Sequence, residues 1–225
     1  MSVLPLILVG APGSGKGTQA KKLVKENASW KHVSTGDLFR AEIRSNSKLG
    51  LRVKSIIDEG ILVSDEETYE IFKSQVDQIL DSKASDVIIL DGYPRNKAQS
   101  IKMKEFCSER SDRLQKPILL EVKVSEQEVV SRLSGRLINP KTGRVYHETF
   151  NPPKIAGICD DDGSQLVKRK DDEASVVASR YQLFQNTRDD IVSVLKEFCH
   201  TIDVNGDQKA DDIFKTIQDS LQKYL

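Results

Sequence analysis

Apolar side chains fall into two patterns along this chain. Short unbroken runs, Leu4-Pro5-Leu6-Ile7-Leu8-Val9, Asp86-Val87-Ile88-Ile89-Leu90 and residues 118–124, predict strands buried on both faces, and residues 201–204 are a weaker copy. Residues 31–34 predict a further short strand. Elsewhere apolar residues recur three and four apart, the spacing of one helix face. Ala20, Leu23 and Val24 share such a face over residues 18–26, residues 173–198 read as one long helix, and Ile213, Ile217, Leu221 and Tyr224 line the last helix. Ser125, with Glu128 three residues on, predicts a capping box at another helix start. Strands alternating with helices predict an α/β fold with a doubly wound parallel sheet.

Two stretches break the alternation. Residues 35–63 read as helical and strandless, an inserted helical lobe. Residues 135–172 carry Pro140, Gly143, Pro152, Pro153, Gly157 and Gly163 without a helical period. A connection that long inside a compact fold usually serves as a lid or a binding element.

Composition narrows the class. The 225 residues carry 34 Lys+Arg against 34 Asp+Glu, so a basic protein that coats nucleic acid is disfavoured. This length predicts one compact domain with insertions. The longest apolar run, from Val3 to Val9, is too short for a membrane span and lacks the flanks of a signal peptide. Three scattered cysteines, Cys107, Cys159 and Cys199, suit a reducing compartment. The expectation is a soluble intracellular protein without nucleic-acid or membrane partners.

Gly10-Ala11-Pro12-Gly13-Ser14-Gly15-Lys16 lies between the first strand and the first helix, the context a P-loop requires. Its glycines allow backbone N–H groups to turn onto phosphate oxygens, and the helix start adds its positive dipole end. Gly13, Ser14, Gly15, Lys16, Gly17 and Thr18 are therefore candidate triphosphate contacts, with Lys16 bridging the β- and γ-phosphates. Gly17 stands where Ser or Thr normally follows the lysine, so magnesium receives less help there.

Residues 10–19, Thr35-Gly36-Asp37-Leu38-Phe39-Arg40, Asp91-Gly92-Tyr93-Pro94-Arg95 and Arg169-Lys170-Asp171-Asp172 together resemble the adenylate kinase family, in its order and spacing. The resemblance implies a P-loop NTPase-type sheet of five parallel strands with two insertions. Residues 1–34, 64–134 and 173–225 would form the core, 35–63 the AMP-binding lobe and 135–172 a lid of the long form. It implies a nucleoside monophosphate kinase that moves a γ-phosphoryl group to AMP with Mg2+ on the nucleotide. Lys16, Arg95, Arg132, Arg136, Arg169 and Arg180 would be the catalytic cations. Arg40 and Arg95 would grip the AMP phosphate, and Arg169 and Arg180 would lie near the transferring group. Arg132 would lie against the donor base and Arg136 would reach its phosphates, with Val145, Tyr146 and Gln208 also on the donor side. Gln99 would meet the acceptor adenine, in a pocket shared by Thr35, Ile61, Leu62, Val63, Gly92, Tyr93 and Pro94. Asp91 would hold magnesium through water, helped by Asp37, whose other reading is a helix N-cap.

In some relatives two Cys-x-x-Cys pairs hold zinc in the lid. Here Asn139, Thr142, Cys159 and Asp162 stand at those positions, which predicts a hydrogen-bonded cluster and no zinc. Ala156-Gly157-Ile158 resembles the mitochondrial GTP:AMP branch, and Asn205-Gly206-Asp207-Gln208 differs from the Asp-Gly-Thr-Lys pattern common in ATP-using relatives. By this resemblance GTP (or ITP) is the expected donor and the mitochondrial matrix the implied compartment. The alternatives are an ATP:AMP phosphotransferase, which Thr35 resembles, and a cytoplasmic location, since the first strand begins almost at Met1. A nucleotide-dependent switch is a distant alternative: Asn96-Lys97-Ala98-Gln99 lacks the aspartate of a guanine-reading Asn-Lys-x-Asp motif. ADP is the shared product, and the family's usual monomer is the expected state.

Overall fold

The computed structural model describes residues 2–225. In chain order the elements are β1 (Leu4–Val9), α1 (Lys16–Glu26), β2 (Trp30–Ser34), α2 (Thr35–Arg44), α3 (Lys48–Asp58), α4 (Asp65–Ser82), β3 (Val87–Asp91) and α5 (Lys97–Ser108). They continue with β4 (Ile118–Lys123), α6 (Glu126–Ser134), β5 (Arg136–Ile138), β6 (Val145–His147), a 3-10 turn (Lys170–Asp172), α7 (Ala174–Lys196), β7 (His200–Asn205) and α8 (Ala210–Leu221).

Five strands pair in the order β2-β3-β1-β4-β7, all parallel. Every residue of β1 is buried because both sheet faces are covered, as its unbroken apolar run anticipates. Leu4, Leu6 and Leu8 pack with Ala20 and Leu23 of α1 and Ile213 and Ile217 of α8. Ile7 and Val9 point the other way, into a cluster with Phe72, Met103, Phe106 and Ile191 from α4, α5 and α7. The strand order reverses at β1, whose neighbours are β3 on one side and β4 on the other. Ligands of open parallel sheets bind at such a reversal, beyond the carboxyl ends of the strands. Register brings Asp91, the last residue of β3, opposite Leu8 of β1 and Ser34 of β2.

The helical insertion has its own small core of Phe39, Val53 and Val63, which Ile71 of α4 also touches. α2 and α3 cross so closely that a Cβ at Gly50 would sit 2.1 Å from the Glu42 carbonyl oxygen. The second insertion contains the β5–β6 hairpin, which the glycine- and proline-rich composition had masked. Tyr146, Cys159 and Leu166 form its core with Leu137 alongside.

One expectation needs correcting. Ser125 does cap α6, its Oγ accepting from the Glu128 amide at 3.4 Å. The returning half of the box is not made, because Glu128 turns to Arg132 instead. The Ser125 amide donates to Asp207 in the loop after β7, at 2.9 Å.

Candidate active site

Gly13 (φ 79°) and Gly15 (φ 92°) take left-handed backbone conformations that bend the loop after β1 into the start of α1. Lys16 is the first residue of α1, and its Nζ donates to the carbonyls of Gly10 at 2.7 Å and Ala11 at 2.8 Å. Burial pulls the Lys16 ammonium down to about 8; Arg95, Arg180 and Arg136 push the same way, and Asp91 opposes them. Cations from four separate stretches are therefore close enough to feel one another.

Asp91 has a side chain only 14% exposed, with His32 Nε2 3.5 Å from its Oδ2. Burial alone would raise its pKa; the His32 imidazole and the Lys16 and Arg95 cations outweigh that and keep it below the usual carboxylate range. A Cβ on Gly17 would lie 3.4 Å from Asp91 Oδ2, so the position after Lys16 borders this carboxylate, whereas Thr18 is exposed. Among the described residues no three His, Cys, Asp or Glu groups gather as a metal cage. A single ionised aspartate beside a phosphate loop fits Mg2+, which keeps several waters and takes other ligands from substrate phosphates. Asp37 is neither near-neutral nor a cap. Ser34 caps α2, and the Asp37 carboxylate accepts from Arg40 at 2.6 Å.

A cavity lies between α2, the turn before α4, and the start of α5. Thr35, Arg40, Ile61, Leu62, Val63, Arg95, Gln99, Arg169 and Arg180 all line it, together with Phe39 and Asp171, which the motifs contain without an assigned role, and Thr68, which the sequence had not singled out. The polar end gathers the four arginines. Gln99 is 2% exposed, its Nε2 donating to Asp65 at 2.7 Å and its Oε1 accepting from the Arg95 amide at 2.7 Å. Gly92 (φ 83°) shapes one wall: its carbonyl accepts from Thr35 Oγ1 at 2.8 Å and Arg95 Nε at 2.6 Å. A Cβ there would come within 2.9 Å of both side chains. Tyr93 is a correction. Its ring is buried and stacks on Phe72 at 4.5 Å, so it supports the wall from the core without lining the cavity. Pro94 is buried as well and lines no part of it.

Asp171 and Asp172, in the 3-10 turn before α7, organise the remaining cations. Arg169 pairs with the Asp171 carboxylate through both ends, and Arg180 Nη1 lies 2.9 Å from the same carboxylate while donating to the Asp171 backbone carbonyl at 2.8 Å. Arg136 reaches from β5 to Asp172, with Nε donating at 2.7 Å. Arg180 is pulled down to about 10, by burial first and then by Arg169, Arg136 and Arg95, with Asp171 opposing.

On the donor side Arg132 spans three segments. It donates to Ser14 O at 3.3 Å, to Gly206 O at 2.7 Å and to Gln208 O at 3.2 Å, while its Nε holds Glu128. The arginine thus clips the phosphate loop to the loop after β7. Tyr146 is a second correction. It is 2% exposed inside the hairpin's own core, its hydroxyl accepting from the Asp160 amide at 2.9 Å, so its ring packs within the hairpin; Val145 beside it is exposed. In the second insertion Asn139 Nδ2 donates to Asp162 at 2.9 Å, Asn139 Oδ1 accepts from the Thr142 amide at 3.3 Å, and Tyr146 Oη lies 3.5 Å from Cys159 Sγ, so Asn139, Thr142, Cys159 and Asp162 take part in hydrogen bonds within that segment.

The family model described as "Adenylate kinase" matches residues 8–199. The adenylate kinase of Oceanobacillus iheyensis is 38% identical over 218 residues, covering 97% of this chain and 99% of its own. That of Bacillus velezensis is 37% identical over 218 residues, with 96% and 97% covered. That of Listeria monocytogenes serotype 4a is 35% identical over 221 residues, with 98% and 100% covered. All three relatives are bacterial, and their names lend no support to a mitochondrial GTP-using branch or to a long-lid subclass.

Proposed function

The chain belongs to the adenylate kinase family, a family of phosphotransferases, and from that premise we propose that it transfers the γ-phosphoryl group of ATP to AMP, reversibly, giving ADP from each. The observation that carries the reading is the gathering of Arg40, Arg95, Arg169 and Arg180 at one end of a cavity that also holds Gln99, with Lys16 of the phosphate loop near enough to Arg95 and Arg180 to feel their charge. Two phosphate charges 4 Å apart repel by about 4 kcal/mol at an effective dielectric of about 20, so bringing two nucleotides together needs cations placed beforehand.

In this reading Lys16 holds the β- and γ-phosphates, Arg40 and Arg95 grip the AMP phosphate, and Arg136, Arg169 and Arg180 surround the group in flight. The forked guanidinium suits this work, because it meets two oxygens at once. Gln99 offers one N–H and one oxygen lone pair to the adenine edge. Asp91, held ionised, would bind Mg2+ through water; the ion, when present, offsets phosphate charge. No general base is required, since alignment and charge stabilisation account for most of such a transfer. Closure of lid and lobe would keep water, a competing acceptor, away from the phosphoryl group.

The resemblance to the GTP branch loses its footing in local structure. Asn205 Oδ1 accepts from the Asp207 amide, and Asp207 accepts from Ser125, so these side chains shape the loop and tie it to α6. What the loop turns toward Arg132 is backbone carbonyl. Ile158 bridges Ile155 in the lid's own turn. A mitochondrial location rests on that branch alone, and cell fractionation tests it. Donor choice is tested by kcat/KM for ATP, GTP and ITP with AMP fixed as acceptor. We expect ATP to lead; a preference for GTP would reverse the assignment.

A further inference from the structure

A glutamine amide is ambiguous as a base reader. Oriented one way it offers its N–H to adenine N1 and its oxygen to the adenine amino group; flipped, it matches hypoxanthine or guanine, whose N1–H donates and whose O6 accepts. Selectivity for AMP through Gln99 therefore depends on whatever forbids the flip.

Two groups face the amide of Gln99 from opposite ends. The Arg95 backbone N–H, which can only donate, meets Oε1 at 2.7 Å. Asp65 Oδ1, which can only accept while the carboxylate is ionised, meets Nε2 at 2.7 Å. The same Asp65 oxygen also accepts from Asn96 Nδ2 at 2.9 Å, and Asn96 Oδ1 in turn accepts from the Gln99 amide at 2.8 Å. Asp65 opens α4 and Asn96 caps α5, so two helix starts are laced together around one side chain. Asp65 is absent from the lining of the cavity, although Gln99 is part of it.

We propose that Asp65 is a positioning residue for acceptor-base selection, holding Gln99 in the amide orientation that fits adenine and rejects 6-oxopurines. This rests on the reading that Gln99 meets the acceptor base. After both clamps are made, Gln99 keeps one donor and one acceptor for the cavity, in a fixed order. A flipped amide would set its NH2 against the Arg95 N–H and its oxygen against the Asp65 carboxylate, two repulsive contacts at once. Such built-in rejection of the wrong partner is how a small site separates two similar bases.

The test compares AMP with inosine monophosphate as acceptor in wild type, Asp65→Ala, Gln99→Leu and the double variant, with folding followed by circular dichroism. Asp65→Ala should narrow the AMP/IMP ratio of kcat/KM about tenfold, with the loss in KM for AMP more than in kcat. In the Gln99→Leu background it should narrow the ratio no further. Asp65→Glu keeps an acceptor-only carboxylate and should restore part of the selectivity, whereas Asp65→Asn, whose amide can donate as well as accept, should not. If alanine prevents folding, Asp65→Ser, a good residue at a helix start, takes its place. Equal losses with both acceptors, or the same narrowing with Gln99 already replaced, would overturn the proposal. An unchanged ratio in Gln99→Leu alone would reject the underlying reading of Gln99 and the proposal with it.

Discussion

Single side chains set the chemistry, and burial brings the charge of Lys16 within reach of ordinary pH. Below about 8 its ammonium is charged and can hold phosphate; above that it becomes neutral. Bound phosphates favour the charged form, so binding above this point takes up a proton. Affinity for the triphosphate should be flat below pH 8 and fall above it by up to about tenfold per unit, as a Kd titration would show. Lys16→Arg should bind more weakly yet lose that slope, because a guanidinium stays charged throughout. Lys16, Asp91 and Arg95 were legible because each sits in a short motif at a strand's end. His32 was not, and Asp171 and Asp172, though part of a motif, carried no role, because a counter-charge is defined by what packs beside it. Tyr93 and Tyr146 were misread for a related reason: adjacency in sequence says that a residue is near a site, while the turn at Gly92 for Tyr93 and strand alternation for Tyr146 decide which way each ring points. Tyr146 faces inward while Val145 and His147, its neighbours in β6, take the opposite side.

Elements were legible where one physical signal dominated. Runs of Val, Ile and Leu marked the sheet strands to within a residue or two, and the helix face of α8 matched its spacing. The β5–β6 hairpin was missed because three-residue strands carry too little alternation to stand out from a turn-rich background. A pairing between elements was equally hidden. Glu121 in β4 is 2% exposed, and Arg188 of α7 holds both its oxygens, with Nη2 donating at 2.9 Å. Lys123 Nζ is the next nearest cation, at 3.9 Å. Arg188→Met would leave a carboxylate in the core without a close partner. We expect it to lower unfolding stability by about 3 kcal/mol, read from urea denaturation, with catalysis largely kept at low temperature. Replacing both members together by apolar residues should cost much less.

At the scale of the whole molecule the class of fold was the easiest thing to read, since alternating strands and helices admit few arrangements. The placement of the site follows from it, because strand order reverses at β1 and the functional loops leave the carboxyl ends of β1, β3 and β7. The two insertions approach each other across that edge: Lys170 before α7 pairs with Asp58 at the end of α3, at 3.2 Å and exposed. Such a surface pair contributes at most about 1 kcal/mol, too little to hold the parts against a nucleotide-driven movement. Small-angle scattering should therefore show compaction when a bisubstrate analogue binds, and an unchanged radius of gyration would exclude closure.

Asp171 and Asp172 give this arrangement a further property. Arg169, Arg180 and Arg136 already have carboxylate partners, so under the proposed function an arriving nucleotide would trade one anion for another where bare guanidiniums would seize it. Departure runs the same trade backwards, with the protein's own anions re-forming their pairs as the product's grip slackens. A site furnished with such understudies avoids becoming a trap for ADP, and a reaction that must run both ways keeps its exit as easy as its entrance.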